Sequence, residues 1–185
     1  MKSNLKQMTY WLIIIAIFTS CEIPTQDNVS LKNQNFFFST ESYFNEESKR
    51  LASKKRYTKT VNFNGAEETM KLDTLNLVQE FSPFINSDIN KVIWLDDYQC
   101  DTLSNNQTIE EIDCHCKNDN FKTQSLNVIY IDGVPAEITI ENVMNKMLLE
   151  TKEYLNYTKN SSYHIKRVQR LRTGGVDSTF VKVLF

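Results

Sequence analysis

From Lys91 onward the chain alternates apolar and polar side chains, and paired turn residues break that alternation, a pattern that a strand-rich fold buries and a helical one does not. Asp132-Gly133 and Gly174-Gly175 each separate two alternating runs, and Asn64-Gly65 does the same upstream. Both corners of such a two-residue turn adopt positive φ, which these residues tolerate, so each pair predicts a hairpin. Around Asn64-Gly65 the strands are 56–63 and 68–72. The first long strand starts at Lys91, with Val92, Trp94, Asp96 and Tyr98 on one face and Ile93, Leu95, Asp97 and Gln99 on the other. Residues 104–107 form its turn, 108–117 return, 118–120 turn again, and 121–131 lead into Asp132-Gly133. Closing that hairpin sets Ile131 opposite Val134 and Tyr130 opposite Pro135. The second pair is of the non-hydrogen-bonded kind, so Pro135 costs no bond to its partner but leaves the far side of its strand unpaired there. Alternating runs at 163–172 and 176–185 close the chain.

Upstream the period is helical. Ser39 or Thr40 caps a first helix with Glu41 in its first turn, running to about Ala52 on a thin apolar stripe of Tyr43, Phe44, Leu51 and Ala52. Asp73 caps a second, carrying Leu75, Leu77, Val78 and Phe81, until Pro83 breaks it and Ser82-Pro83 restarts a turn that ends near Asn90. Residues 142–158 support two readings. Val143, Met144, Met147, Leu148, Tyr154 and Leu155 fit a helix, whereas a strand puts Met147, Leu149, Thr151, Leu155 and Tyr157 on one face, interrupted only by Glu153.

The first residues are an address. Lys2 and Lys6 precede an apolar run from Tyr10 to Phe18, too short to cross a hydrocarbon core of roughly 30 Å, and this reads as an export signal over residues 1–20. The run ends in Phe18-Thr19-Ser20-Cys21, which resembles the lipobox of bacterial lipoproteins, although Phe18 stands where that family usually has an aliphatic residue. The resemblance implies cleavage before Cys21 and acylation of its sulfur, holding the protein to the membrane, and an outer-membrane position in a bacterial envelope. Residues 21–35 are polar and without apolar period, a tether whose 14 residues after Cys21 reach roughly 20 Å. Residues 36–185 make one domain. Export removes two of the 21 basic residues and none of the 23 acids, so the remaining negative charge offers nothing to nucleic acid.

Across about 41–185 the spacing of Tyr43-Phe44, Leu51, Val61-Asn62, Gly65, Glu68, Asp88-Ile89-Asn90-Lys91, Trp94, Tyr98 and Ile140-Glu141-Asn142 is similar to a group of small uncharacterised bacterial lipoproteins. The resemblance implies antiparallel hairpins in the last third, hence a strand at 147–157 with a turn near Lys159-Asn160. It brings no activity or site residue with it. The fold expected is α+β: two N-terminal helices packed on a twisted antiparallel sheet of about eight or nine strands, curling toward an open half-barrel similar in outline to lipoprotein carriers.

Chemistry is sparse. Four glycines in the chain leave no phosphate-cradling loop, and no Gly-x-Ser-x-Gly, Cys-x-x-Cys or His-Glu-x-x-His is present. Cys100, Cys114 and Cys116 allow one disulfide and a leftover thiol; a turn centred on Asn105-Asn106 sets Cys100 opposite Glu111, so bridging needs a shifted register. Cys114 and Cys116 share one strand face and His115 the other, which argues against a zinc site. Asp96, Asp97 and Asp101 before the turn read as solvated carboxylates, and neither metal nor cofactor is expected. Trp94 and Tyr98, with the basic run Lys49, Arg50, Lys54, Lys55 and Arg56, are the candidate binding surface. These features lead to a non-enzymatic, lipid-anchored module that binds an apolar ligand or an envelope protein on the sheet. A hydrolase around Asp96, Asp97 and His115 and a structural subunit of an envelope assembly are the alternatives.

Overall fold

The computed structural model describes residues 36–104 and 108–185; the expected export segment, Cys21, the expected tether and most of the expected 104–107 turn lie outside the described residues. The described residues form nine strands: β1 Tyr57–Phe63, β2 Ala66–Leu72, β3 Tyr98–Ser104, β4 Ile109–Cys116, β5 Thr123–Ile131, β6 Val134–Asn145, β7 Leu149–Thr158, β8 Ser162–Leu171 and β9 Val176–Leu184. They form a single antiparallel sheet in the order β2-β1-β9-β8-β7-β6-β5-β4-β3. β3 to β9 make a meander in chain order, and the β1–β2 hairpin adds to its far end by pairing Thr58 with Leu184 and Phe63 with Thr179. The corners behave as their chemistry requires: Asn64 and Gly65, and Asp132 and Gly133, all take positive φ. Residues 149–158 are a strand between β6 and β8, Tyr130 faces Pro135, and the β6–β7 ladder begins only at Glu137.

One sheet face is apolar, in rows that run across the strands. Val183, Tyr163, Tyr157, Ile138 and Val128 follow one another through successive register pairs, and Val181, Ile165, Leu155, Ile140, Leu126 and Cys114 form the next row. On this face lies α1, Thr40–Leu51, whose N-cap Ser39 accepts from the Ser42 amide. Its Phe44 is fully buried and meets Tyr157 with ring centroids 5.2 Å apart. The carboxylate of Glu47 on α1 accepts from the Tyr157 hydroxyl and from Arg50; burial pushes that carboxyl upward, but these two donors hold it below the usual carboxylate range. Asp88 closes the start of α1 by accepting from Ser39 Oγ at 2.8 Å and from the Glu41 amide at 2.7 Å.

Two expectations need correction. The second helix is two single turns, α2 Leu77–Glu80 and α3 Ser82–Ile85, sharing Phe81 as the end of one and the start of the other. Asn76, not Asp73, caps the first, and Pro83 has no N–H with which to carry it further. The fold is therefore mostly β, with one helix of three turns. The strand expected from Lys91 begins only at Tyr98, after a 3₁₀ turn at Val92–Trp94. β3 is an edge strand whose only neighbour among the described residues is β4, and β4 ends at Cys116, opposite Tyr98. Earlier residues, denied a ladder, bond locally, Trp94 N–H to Lys91 O at 2.9 Å and Asp97 N–H to Trp94 O at 3.0 Å.

The β3–β4 turn also lies further along the chain than expected. Ser104 pairs with Glu110, so Leu103 rather than Cys100 faces Glu111, and Cys100 lies directly opposite Cys114, to which it is disulfide-bonded. The Cys116 thiol donates to Asn118 O at 3.1 Å. Cross-linking positions 14 residues apart constrains the unfolded chain, so reduction is expected to cost about 3 kcal/mol. Urea titration with and without reductant checks this; coincident midpoints would show that the bridge contributes nothing.

Candidate functional site

The third cross-strand row on the covered face is polar. Register pairs align Thr123, Asn142, Glu153 and Arg167, one alternation step beyond Leu126, Ile140, Leu155 and Ile165. Glu153 and Asn142 are 3% and 1% exposed, so their placement must be satisfied from within the protein. Arg167 does this for the carboxylate, with Nε 2.7 Å from Glu153 Oε1 and a second guanidinium nitrogen at the same distance. Asn142 Nδ2 donates to Glu153 Oε2 at 3.2 Å and to Ser87 Oγ at 2.8 Å. Ser87, in the loop after α3, is held in turn by Pro83 O at 2.7 Å and accepts from Thr123 Oγ1 on its own carbonyl at 3.1 Å. Asn142 Oδ1 finds no hydrogen-bond partner among the described residues.

Lys122 connects this row to the surface. Its Nζ is 3.3 Å from Asn86 O, and burial holds the ammonium below the usual lysine range, with Glu153 pulling it back up and Arg167 pushing it further down. The same side chain lines a cleft of about 260 Å³ between residues 119–122 on one side and Val143 to Lys146 on the other. The cleft is lined by two lysines, Lys122 and Lys146, with Asn120, Asn145 and Asp119. The chemistry of such a set suits a small polar molecule that carries a negative group for the lysines and a donor for Asp119. Both oxygens of Glu153 are engaged, one by Arg167 and the other by Asn142.

The residues singled out from sequence are distributed differently. Trp94 packs on Phe121 at 5.4 Å, with the Lys91 ammonium 4.0 Å from its ring. Tyr98, expected on a surface, is interior, its hydroxyl donating to Thr123 O at 2.8 Å; it supports the end of the polar row. Of the basic run, Arg50 is engaged by Glu47 and Lys54 lies over the Phe185 ring at 5.7 Å, while Lys49, Lys55 and Arg56 are exposed. Asp96 and Asp97 offer backbone carbonyls to Lys117, and His115 meets Asp113 at 2.9 Å on the outer face. No group of three or more metal-ligating side chains gathers among the described residues. The centre of the sheet face expected to hold an apolar ligand is filled by Phe44, Phe81 and Phe84, all fully buried. Sequence reasoning passed over Lys122, Asn142 and Arg167; the one visible signal was Glu153, a charge in the inward phase of an apolar strand.

Comparison of the chain with protein families, with characterised proteins and with solved structures finds no match.

Proposed function

We propose that the protein is a lipid-anchored component of the bacterial cell envelope, held at the outer membrane through acylated Cys21, and that it acts as a non-enzymatic binding module. The observation that carries the binding half is the buried row Asn142–Glu153–Arg167 beneath the Lys122 cleft, a charged arrangement that packing alone does not need. Three features support the envelope half. Cys21 follows a segment that reads as an export signal, its approach resembles a lipobox, and Cys100 and Cys114 are joined as suits an oxidising compartment. The likeness to small bacterial lipoproteins belongs to the same proposal, as does the curl of the sheet into an open half-barrel. Two register shifts in the β5–β6 pair favour such a curl, because an extra residue on one strand bends it and increases its twist.

Mass spectrometry of protein gently extracted from membranes tests both halves together. The expected intact mass is that of a chain starting at Cys21 plus its acyl groups, and the native spectrum retains a small ligand or a partner that Lys122→Met releases. An unacylated chain overturns the anchor. A clean apo species that is identical for the wild type and Lys122→Met overturns the binding site.

A further inference from the structure

One end of the sheet carries corner residues unsuited to water. The β6–β7 connection is closed by the Lys146 N–H to Leu149 O bond at 2.8 Å, and its corners are Met147 and Leu148, 80% and 62% exposed. At the same end, the 3₁₀ turn before β3 presents Ile93, also 80% exposed, beside the half-exposed Val92. The two tips repeat one local pattern, a lysine followed by two large apolar residues: Lys91-Val92-Ile93 and Lys146-Met147-Leu148. Backbone bonds join them into one rim. Lys117 N–H donates to Asp97 O at 2.8 Å, Val143 N–H to Lys122 O at 2.8 Å, and Arg172 N–H to Leu148 O at 3.1 Å. Among the described residues, the corners at the opposite end are Asp132-Gly133, flanked by the less exposed Ile131 and Val134, and residues 159–161, and the corner residues themselves are polar in both turns. Large apolar side chains this exposed, at two tips on one end of the sheet, suit contact with something other than water.

The course of the chain indicates what that is. Asn90 Oδ1 accepts from the amides of Phe36 at 2.8 Å and Phe37 at 3.2 Å, so the polypeptide enters the domain two residues from Val92. The segment between Cys21 and Phe36 reaches roughly 20 Å, which keeps this rim within range of any bilayer that holds Cys21.

We propose that the rim rests on the phospholipid surface, with Ile93, Met147 and Leu148 in the interface and Lys91 and Lys146 at the level of the lipid phosphates. Trp94, beneath Lys91, lies at the depth that indole rings favour. The cleft beside Lys122 then faces the membrane rather than open solvent. The inference rests on the anchored reading above.

The test uses full-length acylated protein in vesicles of phosphatidylethanolamine and phosphatidylglycerol whose acyl chains are brominated near the headgroup. Tryptophan is introduced by Ile93→Trp, Leu148→Trp or, at the opposite end, Ile131→Trp, and the wild-type Trp94 signal is subtracted. The added tryptophans at 93 and 148 are expected to lose roughly half of their emission, as side chains held about 5–10 Å into the interface should, while that at 131 keeps its own. Equal emission at all three positions, in protein whose intact mass still shows the acyl groups, overturns the rim contact and leaves the anchor standing. A blue shift at 93 and 148 that grows with protein concentration and is indifferent to bromine would seat a second copy on the tips instead, and would equally overturn it.

Discussion

Replacing Phe44 by alanine is expected to lower the stability of the folded protein by about 4 kcal/mol, within the range for truncating a buried phenylalanine. The ring is fully buried, with centroids 4.5 Å from Phe84, 5.1 Å from Phe81 and 5.2 Å from both Tyr43 and Tyr157. It joins α1, both single-turn helices and β7 at one point, so the void left by its removal cannot be closed by moving one element alone. α1 has little else with which to hold the sheet: Leu51 is its only other buried large apolar side chain, and Glu47 contributes hydrogen bonds to Tyr157 and Arg50. A domain of this size is commonly stable by only about 5–15 kcal/mol, so the loss removes a large share of the total. Urea unfolding of Phe44→Ala beside Phe44→Leu checks it. The leucine variant keeps most of the volume and should lose much less; a loss below about 1 kcal/mol for alanine would mean that α1 is not the lid of this core.

The second large effect comes from the polar row. Arg167→Met leaves the carboxylate of Glu153 buried beside Asn142 with its bidentate partner gone, and the expected loss is about 3 kcal/mol, near the low end for breaking a buried pair because Arg167 itself is partly exposed. Removing both charges, Glu153→Leu with Arg167→Met, should recover most of that loss, since the Coulomb attraction of a buried pair is largely offset by its desolvation. Ligand retention discriminates between architecture and function. If the doubly substituted protein is as stable as wild type yet loses the molecule kept at the cleft, the ion pair exists to position Lys122 and not to hold the fold. Retention in the doubly substituted protein would assign the row a structural role alone.

Much of the β architecture was legible because its determinants are local. A two-residue turn is specified by its corners, and the period of side chains along a strand states which of them share a face. Asn64-Gly65 and Asp132-Gly133 were read from two residues each, and Tyr130 followed opposite Pro135 by counting. For residues 142–158 the helical spacing competes with the strand spacing, and what decides is the presence of β6 and β8 on either side, which give every strand amide a partner. Helix length was misjudged where Pro83 and the Asn76 cap divided one apolar stripe into two turns. The Cys100 register differs from the expected one because the turn lies further along the chain, which moves the partner strand.

Residue order alone determined where most strands alternate and where the chain must turn, because each of these depends on neighbours a few positions apart. Only the stacking of strands decided that Thr123, Asn142, Glu153 and Arg167 form one row, that Cys100 faces Cys114, and that the β1–β2 hairpin closes on β9. Alternation assigns a side chain to a face, but its neighbours across the sheet depend on register. Register is set cooperatively by loop lengths, bulges and the burial of the whole face, quantities that no short stretch of sequence contains.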